Sequence, residues 1–261
     1  MDSGKPVRLF VSDIDGCLAE PYKPFRVDRL NELALLASAD GSAGRDAKPA
    51  LSICSGRSYP YVEAMTQLLD LRTPVIFEAG GGMFDPVESR WYWHPDFTAD
   101  LDRQIRELRR WLMKDVAPGT TLDLDHAKKT QASLAGPVAH EVFAAVPAVE
   151  EHVETGYPDL VVAHTHISID VIPRALNKAN GMRWLAEDLG LTLEEICFIG
   201  DTNGDLPALE IVGYAFAPAN ATLQVKEAAD LVTGGSVIEG VLEAYRWCSS
   251  HNERILHGLE S

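Results

Sequence analysis

A doubly wound parallel α/β sheet with an inserted α+β cap is the fold this sequence predicts, and three observations predict it. Short apolar runs that suit buried strands alternate with helical stretches in residues 1–83 and again in 173–261, the pattern of parallel strands joined by crossover helices. Residues 84–172 break that pattern with alternating, hairpin-like strands and two amphipathic helices. The length of 261 residues accommodates a core plus a smaller second unit.

The first strand lies in VRLFVSDID, apolar and β-rich and ending in acids. Val27, Leu30, Leu33 and Leu36 at helical spacing predict a helix over 26–38. Residues 39–50 read as an exposed loop, rich in Gly, Asp and Ser. A second strand, ALSICS, runs into Ser55-Gly56-Arg57, followed by a helix over about 58–70 and a third strand, PVIFEA. GGGMF then suits a hinge or a close backbone approach.

The inserted unit begins with WYWHP as a strand, whose Trp91, Tyr92 and Trp93 read as cap core or strand edge. Leu101, Ile105, Leu108 and Leu112 form one face of a helix over about 100–114. TTLDLDH and KKTQASLAG alternate like a hairpin, a second helix spans about 140–154 despite Pro147, and LVVAHTH with ISIDVIP closes the unit. The core resumes with a helix over 178–189 and the buried strand ICFIGD. YAFAPA and DLVT follow as short strands, and an amphipathic helix over 236–248 ends it.

Charge narrows the function. Lys and Arg number 23 against 39 Asp and Glu, a formal net charge of −16. Such a chain repels a phosphate backbone and an anionic membrane surface, so neither nucleic acid nor membrane is an expected partner. The N-terminal apolar run ends in carboxylates, unlike a signal peptide, so a cytoplasmic location is expected. Cys17, Cys54, Cys197 and Cys248 show no metal-binding spacing and read as small buried hydrophobes, in keeping with a reducing compartment. His164 and His166 lack further ligand spacing for a metal site.

Four polar clusters follow core strands or open helices, where open α/β sheets place ligands. Asp13 and Asp15, at i and i+2, would share one side of an extended strand and repel each other unless a cation or proton intervenes. Ser55, Gly56 and Arg57 offer a hydroxyl and free amides before a helix, an arrangement suited to an anion. Lys178 opens a helix, and Asp201 and Asp205 add two carboxylates in Gly200-Asp201-Thr202-Asn203-Gly204-Asp205. Hard oxygen ligands suit Mg²⁺ better than zinc. A phosphoryl group would rest on the amides, Ser55 and Lys178, and the suited chemistry is its transfer to Asp13 with Asp15 as proton donor.

In order, Asp13-Ile14-Asp15-Gly16-Cys17-Leu18, Ser55-Gly56-Arg57, Lys178 and Gly200-Asp201 through Asp205 resemble the four motifs of the haloacid dehalogenase superfamily. The insertion is similar to its type IIB cap. TPVIFEAGGGMFD, GDTNGDLPAL and FAPANATLQVKEAADLV resemble the archaeal-type phosphoglycolate phosphatase branch, itself similar to sucrose-phosphate and mannosyl-phosphoglycerate phosphatases. The resemblance implies an aspartyl-phosphate on Asp13, acid–base work by Asp15, a phosphoryl contact from Ser55 and charge stabilisation by Lys178. It also implies Mg²⁺ held by Asp13, the Asp15 carbonyl and Asp201, with Asp205 in support. Three positions depart from the pattern: Cys17 replaces Thr, and Ala79 and Gly204 replace Asn.

The expected activity is therefore phosphomonoester hydrolysis of a small metabolite by a monomer or homodimer, with phosphoglycolate as first substrate. A sugar phosphate is the alternative, and a phosphomutase the less favoured one. Gly56, Arg57 and Asn203 are candidate substrate contacts. In KKTQASLAG, period-2 alternation puts Lys129, Gln131 and Ser133 towards the site, and Thr130, Ala132 and Leu134 towards the helices. A slip of one residue would instead present Lys128 and Thr130.

Overall fold

The computed structural model describes residues 4–38 and 47–258; residues 39–46 of the expected loop lie outside them. The chain runs β1 (Leu9–Ser12), α1 (Val27–Ala37), β2 (Ala50–Ile53), α2 (Tyr59–Leu68), β3 (Val75–Phe77), β4 (Gly82–Asp85), β5 (Arg90–Trp93) and α3 (Ala99–Trp111). It continues through β6 (Asp123–Leu124), β7 (Ala132–Ala135), α4 (Ala139–Gly156), β8 (Leu160–His164), β9 (Ser168–Pro173) and α5 (Lys178–Leu189). The last elements are β10 (Ile196–Ile199), α6 (Leu206–Leu209), β11 (Tyr214–Ala217), α7 (Leu223–Ala228), β12 (Leu231–Val232) and α8 (Ile238–Leu256).

The core sheet is parallel, in the order β12-β11-β10-β1-β2, and a parallel bridge from Cys54 to Ile76 leads on to β3. Successive residues of β1 feed opposite faces, as the pleat requires. Phe10 joins Leu30, Leu33, Val62, Met65 and Tyr245 from α1, α2 and α8. Leu9 and Val11 join Met182, Leu185, Ala208 and Val225 from α5, α6 and α7. Helices cover both faces, so the strands carry continuous apolar runs. The 11 residues of α1 have no side-chain cap and are too few to hold a helix alone in water. Burial of Leu30 and Leu33, worth about 1.5–3 kcal/mol each, holds it in place.

A second, antiparallel sheet has the order β6-β7-β9-β8. Ile105 and Leu108 of α3 and Val142, Val146, Val149 and Val153 of α4 pack on Ala132, Leu134, Ile169 and Val171, an apolar cluster distinct from the two of the core. The opposite pleat face carries Ser133 and Asp170, hydrogen-bonded across it. β5, which the sequence places in the inserted unit, pairs instead with β4, and β4 with β3. The reason is aromatic packing: Trp91 tilts onto Tyr59 of α2 and Trp93 meets Phe77 edge-on. The glycine run makes a close approach, because a Cβ on Gly80, at φ +105°, would stand 2.4 Å from the Asn177 carbonyl oxygen. All four cysteines are free and buried, and no helix among the described residues is long and apolar enough to cross a membrane.

Candidate active site

β1 and β10 are paired neighbours, so the segments leaving their ends are adjacent. Asp13 follows β1 and Asp201 follows β10, while Lys178 is the first residue of α5. Lys178 Nζ lies 2.8 Å from Asp13 Oδ2 and 2.5 Å from Asp205 Oδ1. The other Asp13 oxygen accepts from the Ile14 amide at 2.7 Å. Asp205 Oδ2 accepts from the amides of Asp201 and Thr202, at 3.1 and 2.9 Å, so Asp205 fixes both the lysine and the loop.

Three carboxylates, Asp13, Asp201 and Asp205, bring ligand oxygens within 4.8 Å of one another. Against one ammonium they leave two uncompensated negative charges. Burial, with Asp205 and Asp15 nearby, outweighs Lys178 and raises Asp13 to about 6. Burial, then Asp13 and Asp205, raises Asp201 to about 8. Burial alone would lower Lys178, but Asp13 and Asp205 outweigh it and hold its pKa well above the usual value. Asp201 Oδ1 is buried without a hydrogen-bond partner. A buried, orphaned carboxylate oxygen in an over-negative oxygen cluster fits a hard divalent cation. Gly16, at φ +76°, is needed beside it, since a Cβ there would stand 1.9 Å from Asp201 Oδ2.

The raised acids give a prediction. In the metal-free fold both hold protons more tightly than at their ordinary 3.8, so their stabilising contribution is lost as pH rises through about 6 and then about 8. A divalent cation held there would require the charged forms and compete with those protons. The rise in Tm on adding Mg²⁺ should therefore grow from about pH 5 to about pH 9, as read by thermal-shift titration. A rise independent of pH would contradict this placement of the ion.

Several expected residues lie elsewhere. β1 ends at Ser12, and a turn follows in which the Ala19 amide donates to the Ile14 carbonyl. The extended-strand argument therefore does not reach Asp15, whose carboxylate turns away from the other three to Arg57, at 2.5 and 2.7 Å. Arg57 is in turn held between the rings of Tyr22 and Tyr61, so this structure commits it to Asp15 rather than to an open substrate contact. Ser55 is buried and its hydroxyl accepts from the Arg57 amide. α2 starts only at Tyr59 with Ser58 as its N-cap, so the Ser55 turn precedes the helix rather than capping it. A Cβ on Gly56 would meet nothing within 4 Å. Asn203 is exposed and accepts from Thr222, which occupies its side-chain oxygen.

On the second sheet, Lys129 pairs with Asp102 of α3 at 2.6 Å, towards the helices. Lys128, which only the slipped register offers, lies on the polar face instead: Nζ is 2.6 Å from Asp170 Oδ1 and 3.1 Å from the Gln131 side-chain oxygen. The alternation misplaces Lys129 because 129–130 form a bend and β7 begins only at Ala132. Gln131 and Ser133, expected beside Lys129, are both committed to protein partners: Gln131 donates to the Glu78 carbonyl and Ser133 to Asp170. Two residues escaped the sequence reading. Lys128 enters only through the slipped register, and Glu78, fully buried, is not among the sequence candidates. The signal for Glu78 was present, an acid ending an apolar strand, as at Asp13 and Asp201.

The departures have local accounts. The Cys17 thiol donates to the Ile199 carbonyl at 3.7 Å, as a hydroxyl could. Ala79 has φ +55° and ψ +33°, a left-handed conformation that Asn adopts more readily. Gly204 is exposed and unconstrained, with only Thr202 Oγ1 near a Cβ there, at 3.6 Å.

A family model described as haloacid dehalogenase-like hydrolase matches residues 124–244, a stretch that holds Lys178, Asp201 and Asp205. The chain is 25% identical over 246 residues to a phosphoglycolate phosphatase of Methanosarcina acetivorans, covering 94% of this chain and 97% of that one. A phosphoglycolate phosphatase of Natronomonas pharaonis is 27% identical over 246 residues, covering 89% and 93%. Among solved structures, a Thermoplasma acidophilum protein superposes with a TM-score of 0.76 at 21% identity, covering 94% of this chain and 99% of that one. The sucrose-phosphatase of Synechocystis, in complex with sucrose and phosphate, superposes with a TM-score of 0.64 at 17% identity, covering 94% and 98%.

Proposed function

We propose that the chain is a phosphatase of the haloacid dehalogenase superfamily, a Mg²⁺-dependent phosphomonoesterase working through an aspartyl-phosphate. The observation that carries the reading is the contact of buried Lys178 with both Asp13 and Asp205, beside the orphaned oxygen of Asp201.

Asp13 Oδ2 attacks phosphorus, and the bond from phosphorus to the leaving oxygen breaks as the new one forms. Asp15 gives that oxygen its proton, then removes one from the water that hydrolyses the acyl phosphate and regenerates Asp13. Both Asp15 oxygens are engaged by Arg57 at rest, so proton delivery requires that pairing to loosen. Ser55 and the amide of Gly56 hold phosphoryl oxygens. Lys178 keeps Asp13 ionised despite its burial and shares the charge that gathers on the phosphoryl group. Asp13, Asp201 and the main-chain carbonyl of Asp15 would hold Mg²⁺, with Asp205 behind them. When bound, the ion supplies the positive charge that lets a phosphate dianion approach three carboxylates.

The unit from α3 through β9 acts as a cap whose polar face selects the leaving group, in a cytosolic enzyme that needs no nucleic acid or membrane. Phosphoglycolate is the first substrate, by likeness to the archaeal phosphatases. One observation favours a sugar phosphate as the second: Asp170 sits on that face among Lys128, Ser133 and Ser168. A carboxylate there suits hydroxyls better than a second carboxylate. A phosphate-release screen with Mg²⁺ over phosphoglycolate and hexose phosphates tests the reading; no release from any of them would sink it. Lys128→Ala should raise KM for the preferred metabolite while sparing p-nitrophenyl phosphate, whose leaving group carries neither a carboxylate nor a sugar hydroxyl. Lys129→Ala should change neither, and the reverse result would restore the simple alternation.

A further inference from the structure

Glu78 is a fully buried acid that the mechanism above does not use. Its side chain reaches out of the core turn into the segment before β7. One carboxylate oxygen accepts from the Lys129 amide at 2.8 Å, and the other from the Thr130 amide and hydroxyl at 2.6 and 2.7 Å. Its own carbonyl accepts from the Gln131 side chain at 2.9 Å. Its amide faces the other way and donates to the Arg57 carbonyl at 2.8 Å, while the Ala79 amide donates to the Ser55 carbonyl at 2.8 Å. One residue thus ties the Ser55–Arg57 turn to three successive cap residues.

The backbone at this point is strained. Glu78 and Ala79 have φ of +49° and +55°, which costs free energy for residues with a side chain. Burying a carboxylate costs more unless its oxygens are filled, and here both are, by donors from the cap. A purely local turn would need neither expense. Gly81 closes the junction, since a Cβ on it would stand 2.1 Å from Thr130 Oγ1.

We propose that Glu78 is a positioning residue that tethers the cap segment Lys129–Gln131 to the phosphate-binding turn and so sets leaving-group selectivity. The inference rests on the phosphatase reading and deepens it. Lys128, beside the tethered segment, and Gln131, within it, present their side chains on the polar cap face, so their register over the core depends on it. The turn's own hydrogen bonds are main-chain and survive loss of the side chain, which separates selectivity from chemistry.

The test compares Glu78→Ala, Glu78→Gln and Glu78→Asp in the full chain. Losing hydrogen bonds to a buried charge should raise KM for 2-phosphoglycolate or glucose 6-phosphate, whichever the wild type hydrolyses, by about tenfold or more. Turnover of p-nitrophenyl phosphate should stay near wild type. Glu78→Gln sets an amide donor against amide donors and should behave like Glu78→Ala, whereas Glu78→Asp keeps both oxygens and should recover part of the loss. Hydrogen exchange without substrate should show the Lys129 and Thr130 amides losing protection. Equal losses on all substrates, or unchanged protection of those amides, overturn the tether. If Glu78→Ala fails to fold, Glu78→Asp and Thr130→Val carry the same readouts. If the wild type hydrolyses neither metabolite, the substrate reading fails while the exchange measurement still decides the tether.

Discussion

Asp13→Asn should lower phosphate release by about a thousandfold or more while the chain stays folded, as losses of other covalent nucleophiles do. The substitution keeps shape and volume, and the remaining side-chain oxygen can still accept from the Ile14 amide. The new amide nitrogen would face Lys178, where an ammonium now sits 2.8 Å from Oδ2. A charged lysine would then have Asp205 as its remaining carboxylate partner. Two defects therefore coincide: no nucleophile, and an ammonium drawn off the phosphoryl position. A phosphate-release assay on the variant, with its fold checked by circular dichroism, measures the effect. Release near the wild-type rate would remove Asp13 from the mechanism altogether.

Chelation should be nearly as severe. Asp13, Asp201 and Asp205 with one lysine are too negative to receive a dianion at close range, since unscreened charges in a buried site interact by several kcal/mol or more. Activity should vanish in excess chelator and return with Mg²⁺, with metal content followed by elemental analysis. Full turnover in metal-free protein would show that the acids serve another purpose. Because Asp201 Oδ1 has no internal partner, Asp201→Asn should mimic chelation and resist rescue by added Mg²⁺.

The parallel core was legible because its strands are buried on both faces and read as apolar runs that stop at an acid or glycine, as in VRLFVSDID and ICFIGD. The order of the polar clusters along the chain then placed Asp13, Lys178, Asp201 and Asp205. What escaped depends on contacts distant in sequence or on phase. Whether Arg57 meets solvent, substrate or Asp15 is decided by residues 42 positions apart. Whether Lys128 or Lys129 crosses to the polar face depends on where β7 begins, and a bend of two residues changes the answer. The partner of β5 was open because an antiparallel strand can add to either sheet, and Tyr59 and Phe77, far upstream, settled it.

The apolar cluster of the cap has an evolutionary consequence. Ile105, Leu108, Val142, Val149, Ala132, Leu134, Ile169 and Val171 bury one another without help from either cluster of the core. The residues between them on the opposite pleat, Ser133 and Asp170, belong to none of the three clusters. If that face selects the leaving group as proposed, drift at those alternate positions would change which metabolite is accepted while leaving the three apolar clusters intact. A lineage would then sample new substrates at the cost of the polar pairs around Asp170 alone, with the reaction centre, on a different sheet, inherited unaltered through each trial.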